Sequence, residues 1–153
     1  MRLFDTLEAA ERELAGDTKW DRVFQAIALA DALPAGVAYS VGDTLTWRVL
    51  TEDDADARAI RRRRYARVLF CKEGAARIDH AEGGRTLRPY SDLDDREEVE
   101  LGSSTEEGAA TTTILPGQLI CFAITEASRI RPSAGFSGVL LNVTVEGRSF
   151  ANK

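Results

Sequence analysis

The opening of the chain carries a helical period. Leu3, Leu7, Ala10 and Leu14 recur at steps of three and four residues, which places them on one face of an amphipathic helix. Asp5 or Thr6 caps its start and Gly16 ends it. Asp17 or Thr18 then caps a second helix whose apolar stripe is Trp20, Val23, Phe24, Ile27, Ala28 and Leu33, closed by Pro34 and Gly36. Past Gly36 the period drops to two and the apolar runs become short and rich in β formers. Strands are predicted over 37–39, 44–50, 65–71, 75–80, 99–101, 111–115, 118–124 and 136–145. Turn signals lie at 41–43, 73–74, 83–84 and 116–117. The segments 51–59, 89–97 and 103–110 are polar and read as loops. Two helices followed by eight to ten short strands predict a mainly β sandwich or barrel with helices outside.

The chain has 153 residues, one domain long enough to bury roughly two-thirds of its unfolded surface. The helical segment covers 1–35 and the β-barrel 36–150. The formal net charge is −5, which disfavours binding of nucleic acid through the phosphate backbone. No run reaches the roughly 18 apolar residues of a membrane span. The start of the chain lacks the apolar core of a signal peptide, so the expected location is cytoplasmic. Cys71 and Cys121 both sit in apolar runs, where buried, reduced thiols are expected. His80 is the single histidine, so no metal site built on two or three imidazoles fits within one chain.

The most conspicuous motif is Arg61-Arg62-Arg63-Arg64, followed by Arg67. Two readings stand. It is a solvated strand entry balanced by Glu52, Asp53, Asp54 and Asp56, or it is an anion pocket in which guanidinium forks hold a carboxylate or phosphate. Alternation along the strand puts Tyr65, Arg67, Leu69 and Cys71 on one face and Ala66, Val68 and Phe70 on the other. Both faces look buried, so Arg67 needs a partner; Glu126, Asp92, Asp94 and Asp95 are the candidates. His80 precedes a turn and is expected at the surface.

Four segments, taken in order, resemble the YhcH/YjgK/YiaL family, which includes the β-subunit of the evolved β-galactosidase. They are 38–47 (AYSVGDTLTW), 62–74 (RRRYARVLFCKEG), 88–95 (RPYSDLDD) and 115–128 (LPGQLICFAITEAS). The Pro116-Gly117 turn feeding an apolar strand is also common in cupin-type jelly rolls. The resemblance implies a cupin-like double-stranded β-helix, association as a homodimer, and a role in sugar or sugar-acid metabolism. Its polar cavity is the place where such proteins hold a metal ion. Here the corresponding positions carry Ile60, Arg62, Arg67, Ser128, Leu50, Thr51 and Asn142. Guanidinium cannot ligate a cation, so no metal and no other cofactor is expected. The ligand set expected instead is Arg62, Arg67, Trp47, Ser128 and Asn142, holding an anionic sugar derivative. Were there catalysis, of the mutarotase or isomerase kind, Glu126, Tyr65 and His80 would supply the acid and base. The alternative is a non-catalytic accessory subunit with a filled barrel, docking on a partner enzyme or on a second copy.

Overall fold

The computed structural model describes residues 1–102 and 109–145. The predicted loop at 103–110 therefore lies, except for its last two residues, outside the described residues. The first strand, β1 (Arg2–Phe4), replaces the predicted helical start. It pairs antiparallel with a later strand, Arg2 opposite Cys121, and buries Phe4. Leu3 therefore leaves the helical stripe. Helix α1 runs from Leu7 to Leu14, with the Thr6 side chain accepting from the Ala9 amide. Helix α2 runs from Thr18 to Leu29, with Asp17 accepting from the Lys19 amide. Of the two capping alternatives at each helix, Thr6 and Asp17 are the ones used. In α2 the buried positions are Val23, Phe24, Ala26 and Ile27, and Ala28 is exposed.

The remaining strands are β2 (Tyr39–Val41), β3 (Leu45–Thr51), β4 (Ala59–Arg61), β5 (Tyr65–Glu73), β6 (Ala76–Ala81), β7 (Arg85–Ser91), β8 (Arg96–Glu100), β9 (Ala110–Ile114), β10 (Leu119–Phe122), β11 (Ala127–Pro132) and β12 (Ser137–Thr144). They form two six-stranded antiparallel sheets. The first has the order β1-β10-β5-β12-β3-β2 and the second β7-β8-β4-β11-β6-β9. Chain neighbours such as β5 and β6 lie in opposite sheets, and sheet neighbours such as β5 and β12 are far apart in sequence. That is a cupin-like jelly roll, mainly β, with the helices outside.

Four strands fall wholly or partly where the sequence reads as loop or is silent: β4, β7, β8 (whose last two residues lie in the strand predicted at 99–101) and β11. The β7–β8 ribbon is held by charge rather than by apolar alternation. Arg85 bonds Glu100 across it, and Arg88 and Arg96 both approach Glu98. Cross-strand pairs of opposite charge stabilise such ribbons. Pro89 is tolerated because β7 is an edge strand.

Two layers of core result. The outer one lies between the helices and the first sheet, and contains Phe4, Val23, Phe24, Leu45, Val68 and Leu141. The inner one lies between the two sheets, and contains Leu50, Leu69, Ile78, Ile120, Phe122 and Ile130. Strand β5 is buried on both faces, as predicted. Val68 and Phe70 serve the outer layer, Leu69 and Cys71 the inner. Among the described residues no helix is long and apolar enough to cross a membrane.

Candidate anion-binding site

The apolar inner layer fills only one part of the space between the sheets. Beyond it the same inward-facing positions turn polar. On β5 the inward series Cys71, Leu69 continues to Arg67; on β12, Leu140 continues to Asn142; on β3, Leu50 continues to Arg48 and Thr46. Register joins them, since Arg67 lies opposite Asn142 and Asn142 opposite Thr46. From the other sheet come Ser128 and His80, which face each other across β11 and β6, and Arg96, on the same side of β8 as Glu98.

Arg67 is only 6 % exposed. Its Nη2 donates to Asp56 Oδ1 at 3.0 Å and lies 2.8 Å from Oδ2. Its Nη1 donates to the Ser128 carbonyl at 3.0 Å and to Ser128 Oγ at 3.2 Å. Asp56 also accepts from the Ile130 amide at 2.8 Å. The partner is thus Asp56, not Glu126 or the acids at 92–95. The loop 51–59 folds over the barrel end, which only the three-dimensional path reveals. Burial lowers the Arg67 pKa first of all. Asp56 raises it, and the positive fields of Arg96 and Arg48 lower it further. Arg62 is lowered by burial and then by Arg67, with Arg96 adding to the effect. Four guanidinium groups, Arg48, Arg62, Arg67 and Arg96, therefore share one end of the barrel.

The tetra-arginine run divides residue by residue. Arg61 makes a two-pronged bond to Glu97 and reaches the Glu82 carbonyl. Arg62 turns towards Arg67 and Arg96, its Nη1 donating to the carbonyls of Asp94 and Asp95. Arg63 lays its guanidinium over the Tyr90 ring, 4.1 Å from the centroid, in cation–π geometry. Arg64 donates to the Asp92 carbonyl. The run is balanced by acids: Glu97, Asp92 and Asp95 answer Arg61 and Arg64, and of the acids expected at 52–56 it is Asp56 that takes part, through Arg67. Asp95 organises it. Asp95 is 3 % exposed, has φ of +50°, and accepts from the amides of Arg63 and Arg64 and from the Tyr90 hydroxyl. Burial and that hydrogen bond push the Tyr90 phenol up to about 12.

Several polar atoms here are buried and have no partner among the described residues: Nε of Arg62, Arg67 and Arg96, and Oδ1 of Asn142. The Asn142 amide otherwise donates only to Thr46 Oγ1, at 3.3 Å. A buried polar atom without a partner costs about 1–3 kcal/mol. Arg62 also borders an open depression of about 480 Å³, together with Arg63, Glu82, Ile124 and Thr125. A second depression of about 410 Å³ lies on the outer face of the second sheet, between Arg58, Leu101 and Arg129, and none of the predicted site residues lines it.

Four of the five predicted ligand residues, Arg62, Arg67, Ser128 and Asn142, come together. Trp47 does not. It shares the outward side of β3 with Leu45 and Val49, packs against the helical layer and stacks on Tyr39 at 5.6 Å. The predicted acid–base set is dispersed. The Tyr65 hydroxyl donates to the Asp43 carbonyl. Glu126 takes the Ala123 amide on one oxygen and the terminal amine on the other. His80 is buried rather than superficial: its Nε2 lies 2.9 Å from Thr112 Oγ1 and its ring tilts against Phe122. Burial lowers its pKa, against the opposing pull of Glu126. Sequence reasoning missed Arg48 and Arg96, and it named Asp56 only among the acids balancing the arginine run, not as the partner of Arg67. Alternation from Leu50 pointed to Arg48, but Arg96 and Asp56 sit in segments without a period. Among the described residues no three His, Cys, Asp or Glu side chains gather as a metal site.

No known protein-family model matches the chain. In fold it is similar to solved structures at low identity. One is the hydroquinone 1,2-dioxygenase of Sphingomonas, at TM-score 0.46 and 8 % identity, covering 79 % of this chain and 73 % of that one. Another is the cupin domain of CENP-C from Drosophila melanogaster, at TM-score 0.42 and 9 % identity, covering 82 % and 97 %. A third is the oxalate decarboxylase of Lactobacillus farciminis, at TM-score 0.43 and 9 % identity, where 70 % of this chain spans only 25 % of the other. Identities of this size say nothing of activity, and the fold rests on the strand order itself.

Proposed function

We propose that the chain binds a small anion of the sugar-acid or sugar-phosphate kind at the arginine-rich end of its barrel, without a metal ion. One observation carries this reading. Arg48, Arg62, Arg67 and Arg96 share that end, and buried Nε atoms of three of them have no partner among the described residues. Like charges gathered away from water repel one another. An anion received between them removes the repulsion and satisfies the orphaned donors. Guanidinium suits this task because its planar fork matches carboxylate and phosphate. Arg62 connects the cluster to the open depression beside β4, a route for entry. The reading is one of binding: Glu126 and Tyr65 are each engaged elsewhere, so the acid–base set expected from the sequence does not converge on this end.

The test is thermal unfolding with uronic acids, sialic acid, sugar phosphates and neutral sugars, each with and without chelator. A ligand at about 100 times its dissociation constant adds about 2.7 kcal/mol. Stabilisation by the acidic sugars alone, unchanged by chelator, is the expected result. Stabilisation lost on chelation overturns the metal-free reading. No response to any anion overturns binding altogether.

A further inference from the structure

The charges at the arginine-rich end do not balance, and the imbalance specifies the ligand. Arg67 is matched by Asp56 at 2.8 Å. Arg96 is matched by Glu98 at 3.8 Å, a carboxylate that Arg88 also approaches at 3.9 Å. Among the described residues Arg62 donates only to the backbone carbonyls of Asp94 and Asp95, while the Asp95 carboxylate accepts from the Arg63 and Arg64 amides and from Tyr90. Arg48 makes no ion pair with any described residue. Two of the four guanidinium groups, Arg48 and Arg62, therefore stand outside any ion pair with a described carboxylate, though the charges of Asp95 and Asp94 act on Arg62 from a distance. A monoanion neutralises one of them and leaves the other facing it.

The Asn142 amide adds a second requirement. One of its polar atoms bonds Thr46 and the other is buried without a partner. Whichever way the amide is turned, a hydroxyl group satisfies it, since a hydroxyl both donates and accepts. Resting on the anion-binding reading above, we infer that the ligand is a hydroxylated dianion. Two negative groups meet Arg48 and Arg62, and a hydroxyl meets Asn142. Sugar dicarboxylates and sugar monophosphates have this chemistry, while monocarboxylic sugar acids lack the second charge.

Calorimetric titration of the full chain at fixed ionic strength decides it. The probes are glucarate and glucose 6-phosphate as hydroxylated dianions, adipate as a dianion without hydroxyls, gluconate as a monoanion, and glucose. Glucarate or glucose 6-phosphate is expected to bind at least about tenfold tighter than gluconate, equivalent to about 1.4 kcal/mol. Arg48→Gln is expected to erase that difference while leaving gluconate binding in place. Asn142→Leu is expected to bring glucarate down to the affinity of adipate. Gluconate binding as tightly as both dianions overturns the dianion inference and leaves anion binding standing. Adipate binding as tightly as glucarate overturns the hydroxyl. If no anion binds a chain whose unfolding transition remains cooperative, the anion-binding reading itself fails. Arg48 lies in the middle of β3 and is half-buried, so the folding of its glutamine variant is checked by the same transition.

Discussion

Replacing Asp56 by alanine removes the counter-charge of a guanidinium that is 6 % exposed. The Asp56 side chain is itself largely buried, so solvent screens the pair little. Breaking such a pair from one side costs about 3–5 kcal/mol, because an uncompensated charge stays inside. The same substitution strips the Ile130 amide of its 2.8 Å acceptor, adding about 1 kcal/mol. Asp56→Ala should therefore lose about 4–6 kcal/mol. At about 2–4 °C per kcal/mol for a domain of this size, the melting temperature should fall by about 8–24 °C. Urea denaturation and calorimetry measure both quantities. The double variant Asp56→Ala/Arg67→Met leaves no charge behind, so it should be more stable than the sum of the single losses by at least about 2 kcal/mol. Acetate or formate should partly rescue the single variant, since a free carboxylate takes the vacated place. A single-variant loss below about 1 kcal/mol, or strict additivity in the double-mutant cycle, would refute the placement of Arg67 in a closed ion pair.

Three further outcomes follow from the same structure. His80 has a lowered pKa through burial, so below its ordinary value of about 6.5 the unfolded chain takes up a proton that the folded chain refuses. Its contribution to stability is complete above that pH and is lost as the pH falls towards the folded value; His80→Leu should flatten this limb of the stability profile. Gly74 has φ of +68°, and an added Cβ would lie 2.8 Å from the Gly135 carbonyl oxygen and from Phe136 backbone atoms. Gly74→Ala should cost more than the roughly 1–2 kcal/mol of left-handed backbone alone. Gly117→Ala, with φ of +87° and open space around it, should cost only about that backbone amount; equal losses by chemical denaturation would contradict the close approach. Burial pushes the thiols of Cys71 and Cys121 up to about 11 and about 12. Both should therefore resist iodoacetamide at pH 7.5 in the folded chain and react once it is unfolded. Rapid alkylation of the native protein, read by mass spectrometry, would count against their burial.

The parts of the molecule that are legible from sequence are those where a local period and burial agree. Trp20, Val23, Phe24 and Ile27 mark one helical face, and that face is buried. The run from Tyr65 to Cys71 announces a strand covered on both sides, and its two faces feed two separate core layers. A helix or a covered strand writes its environment into its own spacing. The β7–β8 ribbon does not, because pairs such as Arg85–Glu100 stabilise it only once the strands are adjacent. Arg2–Phe4 is too short to carry a period, and it is a strand only because the edge of β10 accepts it.

The site divides in the same way. The amino-acid sequence alone placed Arg67 inward and left it in need of a partner, since alternation and burial are properties of its own strand. Which acid answers it was beyond reach, because Asp56 arrives from a loop whose path is set by the other sheet. The sequence likewise showed four consecutive arginines but not which of them enters the barrel. Asp95 decides that from 31 residues beyond Arg64, by holding the amides of Arg63 and Arg64 while Arg62 turns inward. Spacing along a chain fixes which face a residue occupies. Charge balance depends on what stands opposite, and in a jelly roll the residues standing opposite are distant in sequence.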